Sequence, residues 1–224
     1  MADLKRTVIP MMLLGDGQVG KTSLILRLTG NKFDESVLTT IGKEAYTYKT
    51  EINGNELKIK IWDTAGQERF KSMSVSVIKT VEGLILVYSI ASKKSFDNLG
   101  GWLKQLNDVA DLSKKPIVII GNKADLEAQR MVSYEEGEEF ANQHGYHFYE
   151  TSAKTEQNLQ KAFDDIFHQL YSVFEDEITG KKVYREKKVL KKDKKKQTKK
   201  KKKCWWMNCR IIHCFFIINI FYIM

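Results

Sequence analysis

Residues 15–22, Gly-Asp-Gly-Gln-Val-Gly-Lys-Thr, constrain this chain more than any other stretch, because they fit the pattern Gly, four residues, Gly-Lys-Thr. In that pattern backbone N–H groups wrap a triphosphate, the lysine supplies a positive charge and the threonine hydroxyl can ligate Mg²⁺. An apolar run at 8–14 precedes the segment and a helical pattern at 22–28 follows it, which places the glycines before a helix N-terminus, where anions are favoured. A glycine turn followed by a lysine is the alternative, but a chance match occurs in roughly one in a hundred chains of this size.

Strand and helix patterns alternate along the rest of the chain. Short apolar runs at 83–90 and 116–121 are typical of parallel strands that are buried on both faces, and helical patterns occupy 93–111, 134–144 and 157–174. This alternation predicts an α/β fold of the P-loop NTPase type, with a six-stranded, mostly parallel sheet flanked by helices.

Three features modify that plan near the N-terminus. Alternating segments at 45–52 and 56–63 flank Asn-Gly-Asn, which predicts an antiparallel hairpin. Pro10 cannot donate to a strand ladder, so we expect an irregularity in the first strand. Residues 31–42 are polar and without a period, and we expect a mobile connection there.

The segment Asp-Thr-Ala-Gly-Gln-Glu at 63–68 follows the second strand of the hairpin. We expect the Asp63 carboxylate to reach the Mg²⁺ shell, the Gly66 N–H to face a γ-phosphate and Gln67 to orient an attacking water. Phosphoryl transfer needs mainly alignment and charge neutralisation, so a neutral glutamine that holds the water is sufficient. By itself the segment also fits an ordinary turn, and the phosphate loop earlier in the chain favours the catalytic interpretation.

The choice of base is predicted by Asn-Lys-Ala-Asp at 122–125, which follows an apolar strand. A carboxylate only accepts hydrogen bonds, so Asp125 pairs with the N1–H and the exocyclic amine of guanine and would leave the N1 lone pair of adenine unpaired. The aliphatic part of Lys123 can cover the base, and Thr-Ser-Ala-Lys at 151–154 offers the Ala153 N–H to the guanine O6. An exposed loop is the alternative for the first motif alone, and its position after a strand favours guanine binding.

These motifs share one position in the predicted fold. Gly15, Asp63, Asn122 and Thr151 each follow the end of a predicted strand. Ligands of doubly wound sheets bind at the carboxyl ends of the strands, so we expect all four motifs at one edge of the sheet.

Over residues 4–176 the chain resembles a Ras-superfamily small GTPase, closest to the Rab branch. Five motifs match in order and spacing, and Lys-Ile-Trp-Asp-Thr-Ala-Gly-Gln-Glu-Arg-Phe at 60–70 is the most Rab-like run. The resemblance implies a guanine-nucleotide switch that hydrolyses GTP slowly until an activating protein accelerates it, and that regulates vesicle trafficking. It also implies that Thr40 closes on Mg²⁺ and the γ-phosphate and that Phe33 stacks near the guanine.

The expected site therefore holds GTP or GDP and Mg²⁺. Catalysis is assigned to Gln67, Lys21 and Gly66, and the metal to Thr22, Thr40 and Asp63. The nucleotide is expected to contact Gly15, Asp16, Gly17, Gln18, Val19, Gly20, Lys21, Thr22, Ser23, Phe33, Thr40, Gly66, Asn122, Lys123, Asp125, Ser152, Ala153 and Lys154.

The resemblance implies that 31–45 and 65–80 meet an exchange factor, a GTPase-activating protein and effectors, and that the protein is a monomer. The chain departs from the Rab pattern in both segments. Ile-Gly-Lys-Glu-Ala at 41–45 stands where Rabs have Ile-Gly-Val-Asp-Phe, and Val-Ile-Lys-Thr at 77–80 replaces Tyr-Tyr-Arg-Gly. Of the usual Phe/Trp/Tyr surface only Trp62 remains, so no effector identity carries over.

Charge is distributed very unevenly. The formal net charge is +9, yet residues 180–203 hold 14 Lys and 1 Arg against two acidic residues, and with Arg210 counted the first 179 residues carry −5. We expect a GTPase domain at 1–179, a disordered polybasic arm at 180–203 and a membrane-associating segment at 204–224. An arm of this kind also fits nucleic acid, as in a nuclear nucleic-acid-associated GTPase. The apolar residues 211–224 favour a membrane without specific nucleic-acid binding, and as a helix of only about 21 Å they fit insertion into one leaflet.

The cysteines fall only in that last segment, at Cys204, Cys209 and Cys214, and no signal peptide precedes the first strand. We therefore expect a cytoplasmic protein without disulfides that cycles to the cytosolic face of an intracellular or plasma membrane. All three cysteines are lipidation candidates. Cys-Trp-Trp-Met at 204–207 looks like a farnesylation box, but prenylation needs the box at the C-terminus and 208–224 follow it. The anchor is the apolar tail, with or without palmitoylation, or the mature chain ends earlier.

Two further interpretations stay open at this point. A non-hydrolysing binding module would keep the nucleotide pocket and lose the water-orienting residue, and Gln67 argues against it. A signalling GTPase of the Ras or Rho type shares the nucleotide motifs and the polybasic tail.

Overall fold

The computed structural model describes residues 8–34, 43–64 and 75–180. The strands are β1 (Val8–Leu14), β2 (Lys43–Ile52), β3 (Asn55–Thr64), β4 (Gly83–Ser89), β5 (Ile117–Asn122) and β6 (His147–Glu150). The helices are α1 (Lys21–Leu28), α2 (Val75–Thr80), α3 (Lys93–Asp97), α4 (Leu99–Val109), α5 (Tyr134–His144) and α6 (Leu159–Ile178), with a 3₁₀ helix at Ala124–Gln129. Predictions for Thr40, Gly66, Gln67 and the three cysteines lie outside the described residues.

The described strands form one six-stranded sheet in the order β2-β3-β1-β4-β5-β6. β2 runs antiparallel to β3, and the other neighbouring pairs are parallel. The predicted α/β fold is therefore confirmed. The hairpin turns at Asn53 and Gly54, whose φ angles of 52° and 74° suit the right-handed twist of the strands that they join.

Helices cover both faces of the sheet. Ile9, Met11 and Leu13 of β1 pack in one buried cluster with residues of α1 and α6, whereas Met12 and Leu14 pack in a second cluster with residues of α4. All seven residues of β4 are buried, as expected for a strand that is covered on both faces. The central strands therefore form a rigid base beneath the loops that follow their carboxyl ends.

The irregularity expected at Pro10 is not found. β1 is continuous, Pro10 lies opposite Lys60 of β3, and its carbonyl accepts a hydrogen bond of 2.7 Å from the N–H of Glu82. The N–H and C=O of a strand residue point to the same side, so the donor that proline lacks would face β4. The pairing of β1 with β4 begins one residue after Pro10, with Met11 opposite Gly83. Pro10 therefore lies at the start of that ladder, where a missing N–H donor interrupts no hydrogen bond between the two strands.

The helix predictions need two corrections. The helix expected at 93–111 is split at Asn98, whose φ and ψ of −75° and −13° close α3 and begin α4. The helix expected at 157–174 begins at Leu159, because Glu156 and Asn158 have positive φ, and continues to the buried Ile178. The predicted helix 134–144 is confirmed, with a capping box at its start. α2 and the 3₁₀ helix were not predicted.

Candidate functional site

The motifs meet at the edge of the sheet where the parallel strands end. β1, β3, β5 and β6 lead into the segments that begin at Gly15, Asp63, Asn122 and Thr151. Side-chain contacts join these segments directly. The Thr22 Oγ1 donates to the Asp63 Oδ2 at 2.6 Å. The shared edge that the sequence predicts is therefore present.

The path of the phosphate loop is fixed by two glycines with positive φ. Gly15 has φ 138°, and a Cβ there would lie 2.0 Å from the Val87 carbonyl oxygen. Gly20 has φ 95°, and a Cβ there would lie 2.4 Å from the Asn122 Nδ2. Any side chain at either position would push the loop off the sheet, so the loop conformation requires glycine.

Helix α1 begins directly after this loop. Gly20 is the N-cap residue and supplies no side-chain hydrogen bond to the first turn. The N–H groups of that turn and the helix dipole therefore favour an anion before Lys21. Gly17 and Gln18 lie at the exposed tip of the loop, Val19 is buried beneath it, and Ser23 is half-buried in α1.

Lys21 is a buried cation in the loop. Its side chain is 4% exposed, and its Nζ donates to the carbonyl oxygens of Gly15 at 2.8 Å and Asp16 at 2.7 Å. Burial lowers the pKa of Lys21 to about 8, although the negative charges of Asp63 and Asp16 oppose this shift. Neutral carbonyls compensate only part of the cost of burying an ammonium group, so a phosphate placed beside Lys21 would stabilise it.

Thr22 and Asp63 bring two potential metal-ligand oxygens together. Asp63 is fully buried at the end of β3, and its carboxylate accepts the Thr22 hydroxyl. Hydroxyl and carboxylate oxygens are the donors that Mg²⁺ prefers. The donor set therefore fits Mg²⁺.

The base motifs are tied to each other and to the phosphate loop. The Asn122 Nδ2 donates to the Val19 carbonyl at 2.8 Å, and the Thr151 Oγ1 donates to the Asn122 Oδ1 at 3.2 Å. The Ser152 Oγ donates to the Asp125 Oδ1 at 2.5 Å. Asp125 is thus held in one orientation beside the 151–154 segment.

The remaining predicted residues of this region lie around the same loops. Lys123 has φ 67°, and this left-handed conformation turns the chain from β5 into the 3₁₀ helix. Ala153 is buried, Lys154 is exposed, and the Lys154 N–H donates to the Ser152 Oγ at 3.2 Å. Phe33 is partly buried and packs against the core cluster of α1 and α6.

A charged network near the base motifs was not predicted. Arg130 follows the 3₁₀ helix and makes two hydrogen bonds to Glu150, of 2.5 and 2.8 Å, and three to Glu127, of 2.7, 2.9 and 3.0 Å. These carboxylates raise the pKa of Arg130 further above its ordinary value. Glu150 immediately precedes Thr151, so Arg130 fixes the two base-motif loops relative to each other. An isolated arginine and glutamate gave no sequence signal of this contact.

Asp16 makes a second contact that was not predicted. Its Oδ2 accepts a hydrogen bond of 2.6 Å from the Asn98 Nδ2, and its Oδ1 accepts one of 2.9 Å from the Trp102 Nε1. The side chain of this phosphate-loop residue is therefore engaged by the start of α4.

The predicted membrane segments and the division at residue 179 stay predictions, because 181–224 lie outside the described residues. Within the part of the chain that the structure describes, no helix combines the length and the apolarity needed to cross a bilayer.

Comparison with known proteins places this geometry in a family context. A sequence model of the Ras family matches residues 10–172. The Ras-related protein Rab-13 of Mesocricetus auratus is 39% identical over 166 residues, which cover 74% of this chain and 81% of that protein. The GTP-binding protein ypt2 of Schizosaccharomyces pombe is 41% identical over 156 residues, which cover 70% of this chain and 78% of that protein. The Ras-related protein Rab-10 of Caenorhabditis elegans is 40% identical over 158 residues, which cover 70% of this chain and 77% of that protein.

Proposed function

This chain belongs to the Ras family, as a Rab-like GTPase, and from that premise we propose how its residues bind and hydrolyse GTP. It is a guanine-nucleotide switch of membrane trafficking. The observation that carries the proposal is the 2.8 Å hydrogen bond from Asn122 to the Val19 carbonyl. This bond joins the base motif to the phosphate loop, so that one pocket can hold both ends of a nucleotide.

The phosphates are bound by the backbone N–H groups of residues 15–23 and by Lys21. Lys21 needs no rearrangement of α1 to serve in this way, since it is already held at the loop by two carbonyl oxygens. Thr22 and Asp63 would hold Mg²⁺, with Thr40 as a further ligand in the GTP form. Mg²⁺ held there would supply positive charge against the phosphate oxygens.

The base is selected by Asp125. Ser152 holds the Asp125 carboxylate at 2.5 Å, so that carboxylate is already oriented when the base arrives. A fixed acceptor recognises the two donors of guanine and rejects adenine, because the N1 lone pair of adenine would face the carboxylate without a donor between them. Lys123 and Phe33 cover the base, and Ala153 offers its N–H to the guanine O6.

Hydrolysis is assigned to Gln67, which orients the attacking water, with the Gly66 N–H facing the γ-phosphate. These assignments rest on the order of the motifs along the chain. No arginine is placed in the expected site by any of them, so unaided hydrolysis is slow and needs an activating protein.

Regulators and effectors bind through 31–45 and 65–80, and the C-terminal tail attaches the protein to an anionic membrane. The tail combines the polybasic arm 180–203 with the apolar segment 211–224, and Cys204, Cys209 and Cys214 are its lipidation candidates. Two such signals together suffice for stable attachment, whereas one alone is marginal.

Nucleotide competition tests this proposal. Full-length protein is titrated with a fluorescent GTP analogue, with and without Mg²⁺, and the analogue is then displaced with GTP, GDP or ATP. We expect displacement by GTP and GDP and none by ATP at the same concentration, with tighter GTP binding when Mg²⁺ is present. Displacement by ATP as effective as that by GTP would refute the base assignment, and binding unaffected by Mg²⁺ would refute the metal assignment.

A further inference from the structure

The carboxylate of Asp16 makes contacts that phosphate binding does not explain. Both of its oxygens accept hydrogen bonds from side chains at the start of α4, at 2.6 Å from Asn98 and at 2.9 Å from Trp102. The backbone carbonyl of the same residue accepts the Lys21 ammonium at 2.7 Å. Asp16 thus connects α4 to the cation of the phosphate loop.

The two donors on α4 are held rigidly. Trp102 is one helical turn after Asn98, and the backbone N–H of Trp102 donates to the backbone carbonyl of Asn98 at 3.0 Å. The Trp102 side chain is 6% exposed and packs in the buried cluster that includes Leu99 and Leu103. The helix core therefore fixes where both donors point.

A carboxylate in a phosphate loop has an electrostatic cost, because it repels the anion that the loop holds. The Asn98 and Trp102 donors point at the carboxylate, so their dipoles partly offset its negative field and fix its position. They also fix the backbone between Gly15 and Lys21. A loop whose N–H groups are held in position loses less conformational freedom when it binds an anion.

We propose that Asp16, Asn98 and Trp102 form a clamp that holds the phosphate loop in its nucleotide-binding conformation and thereby sets the rate of nucleotide release. All three act as positioning residues through the loop backbone and Lys21. The inference rests on the proposed nucleotide-binding function and adds to it the control of nucleotide retention by α4.

An exchange of the two side chains tests the clamp. Asn98→Asp places a second carboxylate against Asp16 and removes no capping bond, because the Asn98 side chain makes none to the first turn of α4. Adding Asp16→Asn restores an amide facing a carboxylate, and the new amide oxygen still accepts from Trp102. Full-length proteins are loaded with a fluorescent GDP analogue, and its release into excess GDP is timed. We expect Asn98→Asp to accelerate release roughly tenfold or more. The double variant should return to within about threefold of the wild-type rate, the usual scatter of such contributions.

Matched controls and a second readout separate the clamp from general destabilisation. Asn107→Asp adds the same charge at an exposed position of the same helix and should leave the release rate unchanged. Trp102→Phe keeps an aromatic ring in the cluster, removes the N–H donor together with part of the indole, and should accelerate release even if Asn98→Asp fails to fold. In the accelerated variants the ³¹P resonance of the β-phosphate of bound GDP should shift, because the loop that surrounds it has moved.

Three outcomes would overturn the inference. The clamp does not set release if Trp102→Phe and Asn98→Asp both release GDP at the wild-type rate. Pairing between Asp16 and Asn98 is not the cause if the double variant is as fast as Asn98→Asp alone. If the wild-type chain binds no GDP, the proposed function fails and the clamp fails with it, whereas normal wild-type binding with unchanged variants refutes the clamp alone.

Discussion

Asp125→Asn is expected to change the base that the protein binds from guanine to xanthine. The Asp125 carboxylate accepts from the Ser152 hydroxyl at 2.5 Å, and the oxygen of an amide can accept that bond unchanged. The amide nitrogen, however, puts a donor where the base site needs an acceptor. Guanine presents two donors at this edge, and xanthine replaces the exocyclic amine by a carbonyl oxygen that accepts from the amide.

The size of the effect follows from the two hydrogen bonds that we propose between the carboxylate and guanine. Hydrogen bonds to a charged group contribute about 1.5–3 kcal/mol each. Asp125 is an exposed residue, so solvent screening favours the lower end of that range. Asparagine loses the bond to the exocyclic amine and weakens the one to the N1–H, because its oxygen carries no charge. Together these changes correspond to a loss of roughly 3 kcal/mol, or about a hundredfold in GTP affinity.

Competition for a fluorescent nucleotide measures this change, with GTP and xanthosine triphosphate as the competitors. Asp108→Asn is the control, since it removes an exposed carboxylate from α4. The wild type and the control should prefer GTP, and Asp125→Asn should prefer xanthosine triphosphate. A loss of GTP affinity without any gain for xanthosine triphosphate would refute direct reading of the base by Asp125, since general damage to the pocket gives that result.

Four other predictions concern the phosphates, the metal, the reaction and the tail. Burial lowers the pKa of Lys21 to about 8 in the nucleotide-free protein, and bound phosphates should raise it again. Above pH 8, therefore, Lys21 must take up a proton when the nucleotide binds. Nucleotide affinity should fall above pH 8 by at most about tenfold per pH unit, and a pH-independent affinity from 7 to 9.5 in calorimetry would contradict this. Thr22→Val removes one hydroxyl and should raise the Mg²⁺ concentration needed for half-maximal GTP binding roughly tenfold or more; an unchanged Mg²⁺ titration would exclude Thr22 as a ligand. Gln67→Leu should slow GTP hydrolysis in a single turnover without weakening GTP binding, and equal rates would remove Gln67 from the mechanism. Truncation after Lys203 should leave binding to anionic vesicles that 0.5 M salt abolishes, whereas the full-length chain stays bound, because salt screens charge and does not weaken apolar burial. Equal salt sensitivity of both proteins would show that the apolar segment takes no part.

Sequence could predict the elements whose signals are local. The capping box of α5 lies within four consecutive residues, Ser133 to Glu136, and the predicted bounds of that helix were right. The hairpin turn is determined by Asn53 and Gly54, which accept positive φ. In each case the residues that determine the structure are adjacent in the chain, so a pattern of residue types suffices to identify it.

The contacts that sequence could not predict join distant residues. Asp16 and Trp102 are 86 positions apart, and Arg130 and Glu150 are 20 apart. Nothing in the neighbourhood of Trp102 indicates that its indole N–H is needed elsewhere, because a tryptophan at that helical spacing also fits an ordinary core position. Asn98 likewise has two roles that its sequence context does not indicate. Its side chain donates a hydrogen bond to Asp16, and its backbone separates α3 from α4.

The phosphate loop and the base motif constrain each other through the contact between residue 20 and Asn122. A side chain at residue 20 would collide with the Asn122 Nδ2, and that same nitrogen donates to the carbonyl of Val19. Asn122 can therefore hold the loop only if the next residue after Val19 lacks a side chain. Gly20 in turn keeps its left-handed conformation within a loop that Asn122 fixes. The two motifs are separated by about a hundred residues of sequence and act as one structural unit, so we expect a substitution in either one to alter the binding of both the phosphates and the base.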